Sequence, residues 1–489
     1  MSVKIQSISR HVIKRATIVF YGLTIFGLLL SGCAAVGPDY VPPEVSAPKK
    51  WSASLAGGLS AEAMDPEKMA NWWSTLNDPT LTSLIERAVA DNLDLRQAQA
   101  RVREARARRG ISQARRFPTI GAGGSANVAR SSEETGSGTE RDLYAAGFDA
   151  GWELDVFGGV RRSVEAAGAT LEASKEGLHD VMVSLLAEVA LNYVEVRSFQ
   201  TRLSIAEANQ KAQEETYGIT QARYESGLTS DLDVEQARYN LEGTRSKIPP
   251  LQIGLEQARN RLAVLLGQNP GTLKEELTER KDIPITPLDV AVGVPAEVLR
   301  RRPDVRKAER ELAAESAQVG VATAELYPKF MLTGSIGLEA LSLGNLFSTG
   351  SRTYGIGPSF LWNIFDGGRI RQNIKVQSAL QEQALLSYEA SLLTALEDVE
   401  NALTAYAKEQ TRRQSLAEAS RAAQRAVELA QNQYTSGLID FQTVLDAQRA
   451  LLSLQDQLAQ SEGAVTSNLI RLYKALGGGW TSLEPASES

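Results

Sequence analysis

Thiol and imidazole chemistry have few carriers in this sequence: one cysteine, Cys33, and two histidines, His11 and His179. A single cysteine excludes an internal disulfide, and so few such side chains leave no Cys/His metal site to build. His179 stands inside a long helical stretch and reads as a packed or surface residue, not a base. The Gly-Gly pairs at 158–159 and 367–368 read as turn glycines, not as a phosphate loop. No catalytic set emerges, so neither an enzyme nor a cofactor is expected. The carboxylates are more suggestive. Asp231 and Asp233 follow Tyr224-Glu225-Ser226-Gly227-Leu228, while Asp440 and Asp446 follow Tyr434-Thr435-Ser436-Gly437-Leu438. Gly227 and Gly437 fall where the chain should turn between paired helices. Asp near a helix start is ordinary. The same acids at a constriction repel unless bridged or hydrated, and there they bind cations.

Cys33 sits at the end of a particular run. Lys4, Arg10, Lys14 and Arg15 give a positive start, and Ala16 to Leu30 is then almost wholly apolar, as in an export signal. The run is too short and one-sided for a comfortable transmembrane helix. Leu30-Ser31-Gly32-Cys33 resembles the bacterial lipobox, which implies cleavage before Cys33 and a lipid on its thiol. Ala34 in place of Asp implies delivery to the outer membrane. Removing residues 1–32 takes away four basic and no acidic residues, so the formal charge moves from −7 to −11. An acidic body gives nucleic acid no reason to bind. No later stretch is apolar enough to span a bilayer as a helix.

Stepping along the chain, two halves align at a shift of about 210 residues. Asp94 and Ala98 match Asp304 and Ala308; Phe117-Pro118 matches Tyr327-Pro328; Phe157-Gly158-Gly159 matches Phe365 and Gly367-Gly368. Leu186 and Val189 match Leu396 and Val399, and the two Tyr-x-Ser-Gly-Leu stretches also correspond. Proline stops a helix near Phe117 and Tyr327. No proline occurs between Pro118 and Pro249 or between Pro358 and Pro485. Helices are predicted from about Arg161 to Ser226 and from about Arg369 to Ser436, each on the order of 100 Å long. Heptads at Leu171, Leu178, Leu185, then Val189, Val196, Leu203, predict coiled-coil-like packing with a stutter. The series Leu385, Leu392, Val399, Tyr406 and Leu451, Leu458, Val465, Leu472 extend it.

The segments between these helices alternate with period two, which predicts strands. Tyr144, Ala146, Phe148, Ala150, Trp152, Leu154 and Val156 share a face opposite Asp149, Gly151, Glu153 and Asp155. Tyr354, Ile356, Phe360, Trp362 and Ile364 face away from Gly355, Gly357, Ser359 and Asn363. Partner strands are expected at Ile120–Val128 and Phe330–Leu338. An apolar face backed by a Gly- and acid-rich face suits a membrane barrel with a wet lumen. Four strands cannot close such a barrel alone, and an open edge in lipid leaves backbone groups unpaired, so several copies must share it.

The pattern resembles the outer-membrane efflux protein family of the TolC type, in its lipoprotein branch serving resistance-nodulation-division (RND) pumps. The residues that carry the resemblance are Gly37-Pro38-Asp39-Tyr40 and Pro43, Trp72-Trp73, Asp78-Pro79 with Leu81, Arg301-Arg302-Pro303-Asp304-Val305 with Ala308-Glu309, and Leu445-Asp446-Ala447-Gln448. It implies a mixed α and β membrane protein, a homotrimer with a shared 12-stranded β-barrel above a helical barrel. It also implies an inner-membrane RND transporter and a periplasmic adaptor as partners, and an acidic ring at the periplasmic aperture. Asp446 matches that ring, while Thr443 stands where some relatives carry another Asp. Under this reading the chain divides into a signal (1–32), an anchored segment (33–79), a first repeat (80–268, strands near 118–157), a linker (269–294), a second repeat (295–476, strands near 329–365) and a tail (477–489). The expected function is the outer-membrane exit duct of an efflux pump. The alternatives are a type I protein-secretion duct, which shares the tunnel, and a structural coiled-coil envelope lipoprotein, which leaves the amphipathic strands unexplained.

Overall fold

A computed structural model describes residues 35–44, 47–63, 65–284 and 290–480. The expected signal and Cys33 lie outside the described residues. The chain forms two compact units. One takes in residues up to Pro43 with Val102–Ser174 and Ala308–Tyr388; the other takes in Glu44–Arg101, Lys175–Lys307 and the residues from Glu389 onward.

The first unit holds a four-stranded antiparallel sheet, β2 (Thr119–Arg130), β3 (Glu140–Leu154), β5 (Lys329–Ala340) and β6 (Arg352–Leu361), in the order β2-β3-β5-β6. Register makes the alternation continuous across all four strands. Ala122, Phe148, Ile336 and Tyr354 form one row, and Ile120, Ala150, Gly334 and Ile356 another on the same face. The rows between them, such as Gly121, Asp149, Ser335 and Gly355, lie on the opposite face. One face is thus apolar and the other Gly-, Ser- and acid-rich. Phe148, Ile336, Tyr354 and Ile356 are all exposed in the single chain.

The strands end earlier than the alternation suggests. Val156, Trp362 and Ile364 lie beyond β3 and β6. Trp362 instead donates its indole N–H to the Leu326 carbonyl (3.0 Å), closing the end of the preceding helix. Trp152 does the same to the Arg116 carbonyl (2.9 Å).

Helix α1 (Pro66–Ala70) and a 3₁₀ turn at Trp72–Leu76 lead to α2 (Pro79–Asp91) and α3 (Leu93–Ala114). Asp78 caps α2 by accepting from the N–H groups of Thr80 (2.8 Å) and Leu81 (3.1 Å), with Pro79 at the first helical position. Leu81, Leu84, Ile85 and Ala88 then form the buried stripe that spacing of three and four residues dictates. The long helices are α4 (Gly159–Glu225) and α9 (Arg369–Thr435), each 67 residues and so about 100 Å. Asp155 starts α4 by accepting from Val160 and Arg161, and Asp366 starts α9 by accepting from Gly368 and Ile370. The remaining helices are α5 (Asp231–Arg245), α6 (Ile248–Leu265), α7 (Pro295–Arg301), α8 (Pro303–Ala324) and α10 (Phe441–Ala475). A two-residue parallel pairing joins β1 (Leu59–Ser60) to β4 (Val290–Ala291).

The second unit has one large core. Trp72, the α2 stripe, and Leu186, Val189, Tyr193 and Val196 of α4 pack with Leu255 and Leu262 of α6. Val399, Leu403 and Tyr406 of α9 and Val465, Leu469 and Leu472 of α10 complete it. Each fully buried aliphatic side chain contributes about 2 kcal/mol. Most of the heptad positions are buried, while Leu178, Leu385, Leu392 and Leu458 are only half-covered in the single chain.

Candidate functional site

The four aspartates singled out by sequence all lie in the second unit, around two matching helix ends. After α4, the Gly227 N–H donates to the Tyr224 carbonyl and the Leu228 N–H to the Arg223 carbonyl, both at 2.8 Å. After α9, Gly437 and Leu438 repeat this with Tyr434 and Gln433, both at 2.9 Å. The two glycines adopt φ of 67° and 72°, a left-handed state that any Cβ would strain. Each turn ends on an exposed leucine, Leu228 (68%) and Leu438 (74%).

The acids differ in what they hold. Asp233 forms a capping box with Ser230: its carboxylate accepts from the Ser230 N–H (3.2 Å) and from the Thr229 hydroxyl. Asp440 caps α10, accepting from the Thr443 hydroxyl (2.6 Å) and N–H (2.9 Å), and these bonds hold its carboxyl below the usual carboxylate range. Asp231 is the exposed first residue of α5, where the helix dipole favours it. Asp446 lies in the second turn of α10 with its side chain 60% exposed, accepting from Gln442 (2.9 Å) and pairing with Arg449 (3.3 Å).

Arg449 escaped the sequence reading. It donates to the Asn240 side-chain amide oxygen (3.0 Å) and to the Tyr239 hydroxyl, and its guanidinium lies 5.0 Å from the Tyr239 ring centre. It therefore fastens α10 to α5. Beneath it, Phe441, Val444 and Leu445 pack with Ala237 and Ala430. Arg223 stacks over Tyr434 at 4.9 Å. The three-residue spacing from Asp446 was the signal available for Arg449.

The Arg-Pro-Asp stretch makes a different device in the same unit. Arg302 is buried. It grips Asp304 with two nitrogens (3.0 and 2.7 Å), reaches Asp398 of α9 (2.9 Å), and donates to the Ala475 carbonyl (3.0 Å) at the last turn of α10. Pro303 and Asp304 open α8, so one side chain ties three helices. The Asn92 amide, 210 positions earlier, donates to the Leu265 carbonyl (2.8 Å), the neutral counterpart of this bond. The Trp152–Arg116 and Trp362–Leu326 bonds keep the same offset.

A cavity of about 620 Å³ beside Arg302 is lined by Asp180, Glu188, Asp304, Asp398, Arg471 and Lys474, among others. Burial, and secondarily the charge of Asp304, pushes the Asp180 carboxyl above its ordinary value. The folded state thus disfavours ionised Asp180, and the wild type loses stability as pH rises through that raised value. Asp180→Asn is expected to melt higher than wild type at neutral pH. The difference should fade as acid protonates the aspartate. Thermal melts at pH 7 and pH 4 check this; equal melting temperatures at pH 7 would refute it. His179 stacks on Trp480 (4.5 Å) beside Glu176 (3.2 Å), a packed position. Among the described residues no group of three or more His, Cys, Asp or Glu is placed to hold a metal ion.

Comparison with known proteins fits this geometry. The sequence model of one family, described as outer membrane efflux protein, matches residues 84–268 and 294–478. Nodulation protein T of Rhizobium leguminosarum bv. trifolii is 33% identical over 95% of this chain and 98% of its own length. The solvent efflux pump outer membrane protein SrpC of Pseudomonas putida is 31% identical over 94% of this chain and 99% of its own. The solved structure of the outer-membrane channel OprN superposes with a TM-score of 0.87 at 38% identity, covering 91% of this chain and all of that one. On these matches the chain belongs to the outer membrane efflux protein family, whose solved relatives are TolC-like channels.

Proposed function

We propose that this chain is the outer-membrane channel subunit of a tripartite RND efflux pump, passing small toxic compounds from periplasm to exterior. The observation that carries the reading is the open sheet. Its strands of 10 to 15 residues suit a bilayer, one face is apolar, and both edge strands, β2 and β6, lack a neighbour on one side. Lipid offers no partner to such edges, so closure needs further copies. Three copies give twelve strands, and the helices α4 and α9 continue the duct through the periplasm. The hydrogen bonds that recur at a 210-residue offset support the reading of two internal repeats. Cys33 is the lipid-bearing residue that anchors the mature chain. The Leu228 and Leu438 turns form the tip that meets the adaptor, below which the inner-membrane transporter assembles. Copies of Asp446 ring the aperture. Asp231, Asp233 and Asp440 surround it as acids at helix starts.

Protein purified from outer membranes in mild detergent should have the mass of a trimer, begin at a lipid-modified Cys33, and form channels in planar bilayers. Light scattering, mass spectrometry of the N-terminus and single-channel recording check the three in turn. A folded monomer without conductance would sink the reading.

A further inference from the structure

The first unit holds a local basic cluster in an acidic chain. The mature sequence is acidic, yet the helix ends next to the sheet are basic. Arg106, Arg109, Arg115 and Arg116 lie on the last turns of α3 and the turn after it, and Arg371 and Lys375 on the first two turns of α9. All six are exposed, and among the described residues none forms a side-chain hydrogen bond or ion pair. Of the nearby carboxylates, Glu104 pairs with Arg108 at 2.8 Å and Glu325 lies 3.9 Å from Arg369, while Glu153 lines the same cleft as Arg115. The next acid along α9, Glu382, comes two turns beyond Lys375.

Their level is fixed by aromatic contacts. Trp152 holds the Arg116 carbonyl, and Phe157 stacks on Tyr327 at 4.6 Å, so the cations begin where the sheet's aromatic border ends. Tyr and Trp mark such a border at a membrane–water interface. Topology then decides where the cations meet. In the order β2-β3-β5-β6, α3 enters the edge strand β2 and the edge strand β6 leaves into α9. The two basic ends therefore stand at opposite edges of one chain. Closing a ring sets the end of α3 in one copy beside the start of α9 in the next. Up to six cations converge there, more than the Glu153 carboxylate can balance, a repulsion that an anion would relieve.

We infer that each seam between copies binds the phosphate of an anionic phospholipid from the leaflet facing the helices. Guanidiniums grip phosphate with paired bonds, and clusters of four to eight Lys and Arg beside a membrane attract anionic lipid. The inference rests on the ring reading above. The trimer, reconstituted in phosphatidylethanolamine nanodiscs with a minor share of phosphatidylglycerol, should retain phosphatidylglycerol on the order of tenfold above its bulk share, less so in high salt, by native mass spectrometry. The quadruple variant Arg115→Gln, Arg116→Gln, Arg371→Gln, Lys375→Gln should lose that excess while keeping trimer mass and conductance. A wild-type trimer without enrichment overturns the site. So does a variant that keeps its lipid but shifts ion selectivity, since the cations would then line the lumen. A wild type that stays monomeric overturns the ring reading itself, and the site with it.

Discussion

Arg302→Met is expected to destabilise the second unit by about 3 kcal/mol. Arg302 bonds Asp304, Asp398 and the Ala475 carbonyl, and without it two carboxylates face each other across the helix junction. Breaking a buried pair by removing one partner costs about 3–5 kcal/mol. The low end applies because the side chains of Asp304 and Asp398 are 33% and 48% exposed, so water can reach them. The Ala475 carbonyl loses a partner as well, and helix ends need such partners. Arg302→Lys should fall short of rescue, since a single ammonium cannot keep the fork to Asp304 while reaching α9 and α10. Thermal melting of the purified trimer followed by helical circular dichroism measures both. A Met variant melting within a degree of wild type would mean that the junction repacks and that Arg302 is dispensable.

Local features of this chain are legible in its sequence and long-range ones are not. The long helices and the alternating strands were legible because each is written in local periodicity, 3.5 to 3.6 for α4 and α9 and 2 for β3 and β6. Their ends were less so. Trp362 continues the apolar alternation of β6 but leaves the strand because a helix-end carbonyl claims its indole. The role of Arg302 was not legible, although its motif was noticed, because Asp398 and Ala475 lie 96 and 173 positions away. Among the aspartates, sequence offered only proximity to a turn. Hydrogen-bond partners separate them: Asp233 and Asp440 accept from groups at their own helix starts, while Asp446 accepts from the side chains of Gln442 and Arg449 on α10. Arg449 itself was hidden because Tyr239 and Asn240 are some 210 residues distant.

Arg449→Ala should make the resting channel leakier by on the order of 100-fold in the closed-to-open ratio, and Asp446→Ala should separate the pore from the staple. Arg449 is the side chain that fastens α10 to α5 near the turn, through Asn240 and Tyr239. Bonds to a charged group contribute about 1.5–3 kcal/mol, and partial exposure brings this to about 1 kcal/mol per copy. Three copies moving together in the proposed ring add to about 3 kcal/mol, which sets the 100-fold figure. Asp446→Ala leaves the Arg449 bonds to α5 in place, so it tests something else. If the carboxylates face the axis, their loss should abolish block by divalent cations and raise conductance. If they face solvent on the outer side, stability changes by at most about 0.5 kcal/mol and conductance stays as it was. Single-channel recording with and without added divalent cation reads both variants. A leaky Arg449→Ala with an unaltered Asp446→Ala would place the gate in the α5–α10 staple and remove Asp446 from the pore. A tight Arg449→Ala would remove the staple from gating altogether.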